Sequence, residues 1–154
     1  NILSPGCGVG GHCIAVDPWF IVHAGGYEAR LIKSAREVND HKAEWCIEKI
    51  KNAALKFELQ NGRKPKVACM GLAFKPDIDD LRESPALNIT RRLIAEGVDV
   101  VAVEPNIKAH KDFEIVDYKK AIEISDIIVF LVGHKEFKGL KIEKEVLDFC
   151  GICK

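Results

Sequence analysis

From Pro65 onward the chain alternates short apolar runs with amphipathic stretches, and this alternation constrains its fold more than any other feature. Lys66 to Met70, Val98 to Val103, Asp126 to Val132 and Val146 to Phe149 read as strands. Between them, Pro85 to Glu96 and Tyr118 to Ser125 read as helices, Asn106 to Asp112 as loop, and Phe113 to Val116 as one more short strand. Strands regularly interrupted by helices predict a parallel, doubly wound α/β sheet with helices on both faces. Ligands of such sheets sit beyond the carboxyl ends of the strands. The first of those ends is Gly71-Leu72-Ala73-Phe74-Lys75-Pro76.

Upstream lies a long helical pattern, from about Glu28 to about Leu59. Leu31, Ala35, Val38, Trp45, Ile50, Ala53 and Phe57 recur at helical steps between charged residues. At 1.5 Å per residue this helix extends roughly 45 Å, and Asn61-Gly62 supplies a left-handed stop. Its apolar edge exceeds what one small α/β unit covers, which predicts pairing with a second copy along the helix. Two regions follow: 1–62, with the active-site loop and the helix, and 63–154, with the sheet.

The segment preceding the helix carries the chemistry. Gly6, Gly8, Gly10 and Gly11 leave a backbone with few Cβ atoms, suited to pressing amides against phosphates or a sugar. It ends on His12-Cys13, with Asp17 four residues on. A thiol has a resting pKa of about 8.5 and becomes a strong nucleophile on partial deprotonation. A plain turn with a small buried cysteine is the other reading. Cys7, His12 and Cys13 match no zinc spacing, so no metal is expected.

With 23 basic and 23 acidic residues the formal charge is zero, so no field draws nucleic acid or an acidic membrane. The chain has no apolar run of transmembrane length. Six cysteines without a secretory signal suit a reducing cytoplasm. Cys150-Gly151-Ile152-Cys153 has CxxC spacing and reads as incidental.

Gly8-Val9-Gly10-Gly11-His12-Cys13 with Asp17-Pro18, followed by Gly71 to Pro76 and Asp80-Leu81-Arg82-Glu83-Ser84-Pro85, resembles the nucleotide-sugar 6-dehydrogenases. The run from His12 to Phe20 and Ala35 to His41 is most similar to the UDP-N-acetyl-D-mannosamine branch. Val16 stands where the UDP-glucose branch has a lysine, and Ser4 where the GDP-mannose branch has an arginine. Cys150 occupies a position that is often basic in relatives.

The resemblance implies an NAD-dependent oxidation of the sugar C6 alcohol to the acid. Cys13 would be the thiol that forms a thiohemiacetal and then a thioester, and Asp17 would position water or a proton. Gly8, Gly10, Gly11, Phe74 and Lys75 would hold the UDP-sugar. Arg82 would reach the NAD, against the alternative of a local ion pair. The long helix would be a homodimer axis. Such enzymes also carry an N-terminal NAD-binding domain, so a chain beginning at Asn1 reads as a fragment, inactive alone. A non-catalytic nucleotide-binding or dimerisation module is the alternative. Glu104 closes the second strand where a ribose-binding acid would stand; without a glycine fingerprint it reads as a turn residue.

Overall fold

The computed structural model describes residues 4–153; the outer limits set above at 1 and 154 fall outside them. Helix α1 spans Asp17–Gly25 and, after a short 3-10 turn at Gly26–Ala29, helix α2 spans Arg30–Asn61. There follow β1 (Lys66–Met70), α3 (Pro85–Ala95), β2 (Asp99–Val103), α4 (Tyr118–Ile124), β3 (Ile127–Phe130) and β4 (Glu145–Asp148). The four strands are all parallel, in the order β2-β1-β3-β4.

Alternation along the strands assigns each side chain to one of two apolar layers. Val67, Cys69, Ile127 and Val129 face α2 and α3, meeting Cys46, Ile47, Ile50, Ile89 and Leu93. Ala68, Met70, Ile128 and Phe130 face the opposite layer, with Ala121 of α4 and Phe137. Both faces are covered, which is why these strands read as unbroken apolar runs. The expected α/β architecture with helices on both faces is therefore present. Trp45 of α2 meets Phe149 edge-on at 5.8 Å, tying the end of β4 to the long helix.

Helix α2 has 32 residues, about 48 Å at the standard rise. Gly62 ends it at φ 67°, donating its N–H to Glu58 O at 2.8 Å. The face that packs on the sheet layer carries Ala43, Cys46, Ile47, Ile50 and Ala53. Leu31 and Val38 stand 79% and 72% exposed, so the expected apolar positions divide between two faces.

The expected strand at Phe113–Val116 is not formed. That stretch touches the sheet through one bridge, Ala102 to Ile115, with Val116 N–H donating to Ala102 O at 2.9 Å. The neighbouring segment to α4 departs at once, since Asp117 caps that helix by accepting from the Lys119 and Lys120 amides. The other end of α4 is closed by Lys144, whose Nζ donates to Ile122, Glu123 and Ser125 carbonyls at 2.6, 2.7 and 2.7 Å. Lys144→Met is expected to cost about 1 kcal/mol in urea unfolding, because carbonyls at a helix C-terminus favour a cation.

Candidate active site

In the strand order, β1 lies between β2 and β3, so the crevice of the sheet opens beyond the carboxyl ends of β1 and β3. A cleft of about 900 Å³ occupies that place. The glycine loop forms one wall, Phe74 to Pro76 another, and Leu131 to Gly133 with Cys150 to Ile152 the third. Of the expected substrate residues, Gly8, Gly10, Phe74 and Lys75 all line it.

Close backbone packing explains why the loop is glycine-rich. A Cβ at Gly10 would stand 2.3 Å from Glu83 O, a clash with backbone that nothing nearby relieves. Gly11 lies against the Phe74 ring, and its N–H donates to Arg82 O at 3.2 Å. Val9 N–H donates to Asn39 Oδ1 of α2 at 2.8 Å. These two amides therefore dock the loop onto the protein rather than facing the cleft. The Lys75 ammonium sits 5.6 Å from the centre of the Phe74 ring.

Cys13 is exposed, on the turn that leads into α1. Its carbonyl accepts from Val16 N–H and Asp17 N–H at 3.0 and 2.8 Å, which places Asp17 at the first turn of the helix. The next residue, Ile14, lines the cleft. The Arg82 guanidinium lies within electrostatic reach of the Cys13 thiol. Arg82 also makes the local ion pair, with Nε 3.0 Å from both Asp80 carboxylate oxygens and Nη2 2.6 Å from Oδ2. That guanidinium holds the Asp80 carboxyl down at about 2.

Glu104 opens the turn after β2, Ile107 N–H donating to its carbonyl at 3.4 Å, but its side chain does more than a turn residue's. It is fully buried and accepts from the Leu72 and Ala73 amides at 2.7 and 3.0 Å, and from the Asn106 N–H at 3.0 Å. Buried His134 stands beside it, Nε2 3.0 Å from Oε2. His134 Nδ1 accepts from Asp77 N–H at 2.9 Å, so the ring proton is on Nε2 and is donated to Glu104. Burial alone would raise the Glu104 pKa, but the His134 and backbone hydrogen bonds outweigh it and the pKa falls. The network fastens the Phe74-Lys75 turn between the ends of β2 and β3. Sequence reasoning missed it because an acid and a histidine thirty residues apart carry no local signal; the strand-terminal place of Glu104 was the available clue.

Two consequences follow for groups the site could hold. The amides after β1 that would cradle a dinucleotide pyrophosphate already bind the Glu104 carboxylate, so this sheet offers no such seat. Asp77, His134 and Glu136 bring three ligand atoms within 4.8 Å of one another, yet the Nδ1 lone pair is engaged by Asp77 N–H.

Three of the remaining thiols are sealed from solvent, and the other two are held above their usual pKa. Cys7, Cys46 and Cys69 are buried, and burial pushes Cys69 up to about 12. Burial and the Asp148 carboxylate raise Cys150 to about 12, and the same two causes raise Cys153. A low-pKa redox pair of the CxxC kind needs the reverse.

Comparison with known proteins agrees with this geometry. The UDP-binding domain of the UDP-glucose/GDP-mannose dehydrogenase family matches residues 68–150, and the central domain of that family matches 1–41. The chain belongs to this family. A UDP-N-acetyl-D-mannosamine dehydrogenase of Campylobacter jejuni is 49% identical over 97% of the chain and 37% of its own length. An NDP-N-acetyl-D-galactosaminuronic acid dehydrogenase of Ralstonia nicotianae is 47% identical over 94% of the chain and 34% of its own length. Among solved structures, the UDP-D-ManNAc dehydrogenase of Pyrococcus horikoshii superposes with a TM-score of 0.81, at 28% identity, over 100% of the chain and 38% of that protein. The chain thus spans little more than a third of these dehydrogenases. Among the described residues no helix is long and apolar enough to cross a membrane.

Proposed function

We propose that the chain is the thiol-bearing and sugar-nucleotide-binding portion of an NAD-dependent 6-dehydrogenase acting on UDP-N-acetylmannosamine in the cytoplasm. The observation that carries this reading is the placement of exposed Cys13, within electrostatic reach of Arg82 and one residue from the cleft that Phe74 and Lys75 line. In this proposal residues 1–62 supply the thiol and the subunit contact, and 63–154 hold the nucleotide.

Lys75 supplies a point charge for the diphosphate, and the cleft wall formed by Gly8 and Gly10 abuts the sugar, with Gly11 supporting the Phe74 ring. Once the C6 alcohol has become an aldehyde, the Cys13 sulfur attacks the carbonyl carbon. The carbonyl oxygen takes up a proton, giving a thiohemiacetal that keeps the aldehyde from escaping. Loss of hydride from C6 with the hydroxyl proton leaves a thioester. Water then displaces the thiol, with Asp17 orienting it, and the free acid departs. NAD supplies the hydride acceptor for both oxidations. Of the residues present, Arg82 fits a contact to it: the guanidinium is exposed, held by Asp80 on one edge, and its Nη1 has no partner among the described residues.

NAD reduction by the complete enzyme tests this, with UDP-N-acetylmannosamine, UDP-glucose and GDP-mannose offered in turn. The first is expected to be preferred; preference for GDP-mannose overturns the assignment. In the same assay Arg82→Ala should raise KM for NAD and Lys75→Ala KM for the sugar nucleotide, each about ten- to a hundredfold, the effect of losing a charge-assisted contact. Equal loss of sugar binding by both variants would place Arg82 in the sugar site.

The exposed Leu31 and Val38, with Phe20 and Tyr27 at 68% and 77% exposure, support a homodimer along the α1–α2 face. Sedimentation is expected to give a dimer, and a monomer at micromolar concentration contradicts it.

A further inference from the structure

A second cation borders the cleft that Lys75 lines, and the proposed reaction gives it no task. Lys138 and Gly139 follow a short 3-10 turn, Lys135–Phe137, and both line that cleft. The whole chain carries as many acidic as basic residues, yet among the described residues no carboxylate lines the cleft. Its charged lining residues, again among those described, are Lys75 and Lys138. The lysines that do form ion pairs there are Lys33, Lys51 and Lys66, so neither cleft ammonium is neutralised by a carboxylate. Cys150 adds no charge to the lining, because burial and the Asp148 carboxylate raise its thiol to about 12.

Both lysines stand on backbone that the protein fixes. Phe137, just before Lys138, is buried, edge-on to His134 at 5.5 Å and tilted against Phe130 at 5.7 Å. Lys138 N–H donates to Lys135 O at 3.2 Å, closing the turn. Asp77, two residues after Lys75, ties the two turns together. Its N–H donates to His134 Nδ1 at 2.9 Å, and its Oδ1 accepts the Lys135 N–H at 2.8 Å. Asp77 holds φ at 61°, a left-handed conformation uncommon outside glycine that persists where surrounding contacts enforce it. The relation between the two cation-bearing turns is therefore set by the fold and not by a ligand.

Two unneutralised ammoniums on one cleft repel each other and favour an anion with more than one charge. We propose that Lys138 is a second diphosphate-binding residue, which grips the sugar nucleotide together with Lys75. The inference rests on the proposed binding of a UDP-sugar in this cleft. A nucleoside diphosphate brings two adjacent phosphoryl groups, one for each ammonium, and a lysine on its flexible stem meets such a group as a point charge.

Calorimetric titration of the complete enzyme with UDP tests this. Lys138→Gln is expected to weaken binding about tenfold, the lower end for a lost charge-assisted contact. Lys138→Arg keeps the charge and should retain most of the affinity. Added salt should weaken UDP binding less steeply in Lys138→Gln than in the natural enzyme, since one screened ionic contact is gone. Lys141→Gln removes a charge three residues on, outside the cleft lining, and should match the natural enzyme. Unchanged affinity in Lys138→Gln, a loss that Lys138→Arg or Lys141→Gln shares, or an unaltered salt dependence overturns the inference and leaves the proposed function standing. Failure of the natural enzyme to bind UDP overturns both.

Discussion

Glu104→Ala is expected to destabilise the fold by about 3–5 kcal/mol, the scale for removing one member of a buried charged cluster. The loss removes the acceptor of five donors at once: the Leu72, Ala73 and Asn106 backbone amides, the Asn106 Nδ2 and the His134 Nε2–H. Glu104→Gln keeps the shape and should cost less. The pH dependence has a definite sign. The folded Glu104 pKa lies below its ordinary value near 4.5, so its contribution is complete above that pH and disappears as pH falls through the depressed value. Asp80, Asp126 and Asp148 are also held low and lose stability in the same direction. Urea unfolding from pH 7 to 3 should therefore show a shallower acid decline in Glu104→Gln than in the natural chain. Parallel declines would mean that Glu104 does not carry its charge through folding.

Cys13→Ala in the complete enzyme is expected to reduce acid formation by on the order of 10³–10⁶-fold, the range for removing a covalent nucleophile. Binding of the UDP-sugar should change little, because Cys13 is exposed and is not among the residues that line the cleft. Cys13→Ser should be nearly as impaired, since a hydroxyl lacks the accessible anion that makes a thiol reactive. Acid production close to that of the natural enzyme would remove Cys13 from the reaction.

The sheet was legible in the sequence because strands buried on both faces become unbroken apolar runs, as in Val67 to Met70 and Ile127 to Phe130. The α3 helix was legible for a different reason: Ser84 and Pro85 mark its start and its buried positions keep a helical period. Phe113 to Val116 misled, since its apolar residues pack against the sheet edge with a single bridge and no ladder. Helix α1 has no buried face of its own, so it lacks the amphipathic period by which helices are recognised in a sequence.

The proposed site divides along the same line. Cys13, Asp17, Phe74, Lys75 and Arg82 sit in contiguous motifs and could be proposed from the chain alone. Glu104 and His134 take their character from burial and from partners on other elements. An acid at a strand end looks the same in sequence whether it faces water or binds two buried amides.

Alkylation of the intact chain by iodoacetamide, followed by peptide mass spectrometry, tests the central claim most directly. Cys153 is the internal control, because it is also exposed but its thiol pKa is raised by burial and Asp148. The account predicts that Cys13 is modified first, well ahead of Cys153 and of the buried thiols. It also predicts that UDP-N-acetylmannosamine slows that modification while leaving Cys153 unaffected. Labelling of Cys13 no faster than Cys153, or labelling that the sugar nucleotide does not slow, would contradict it.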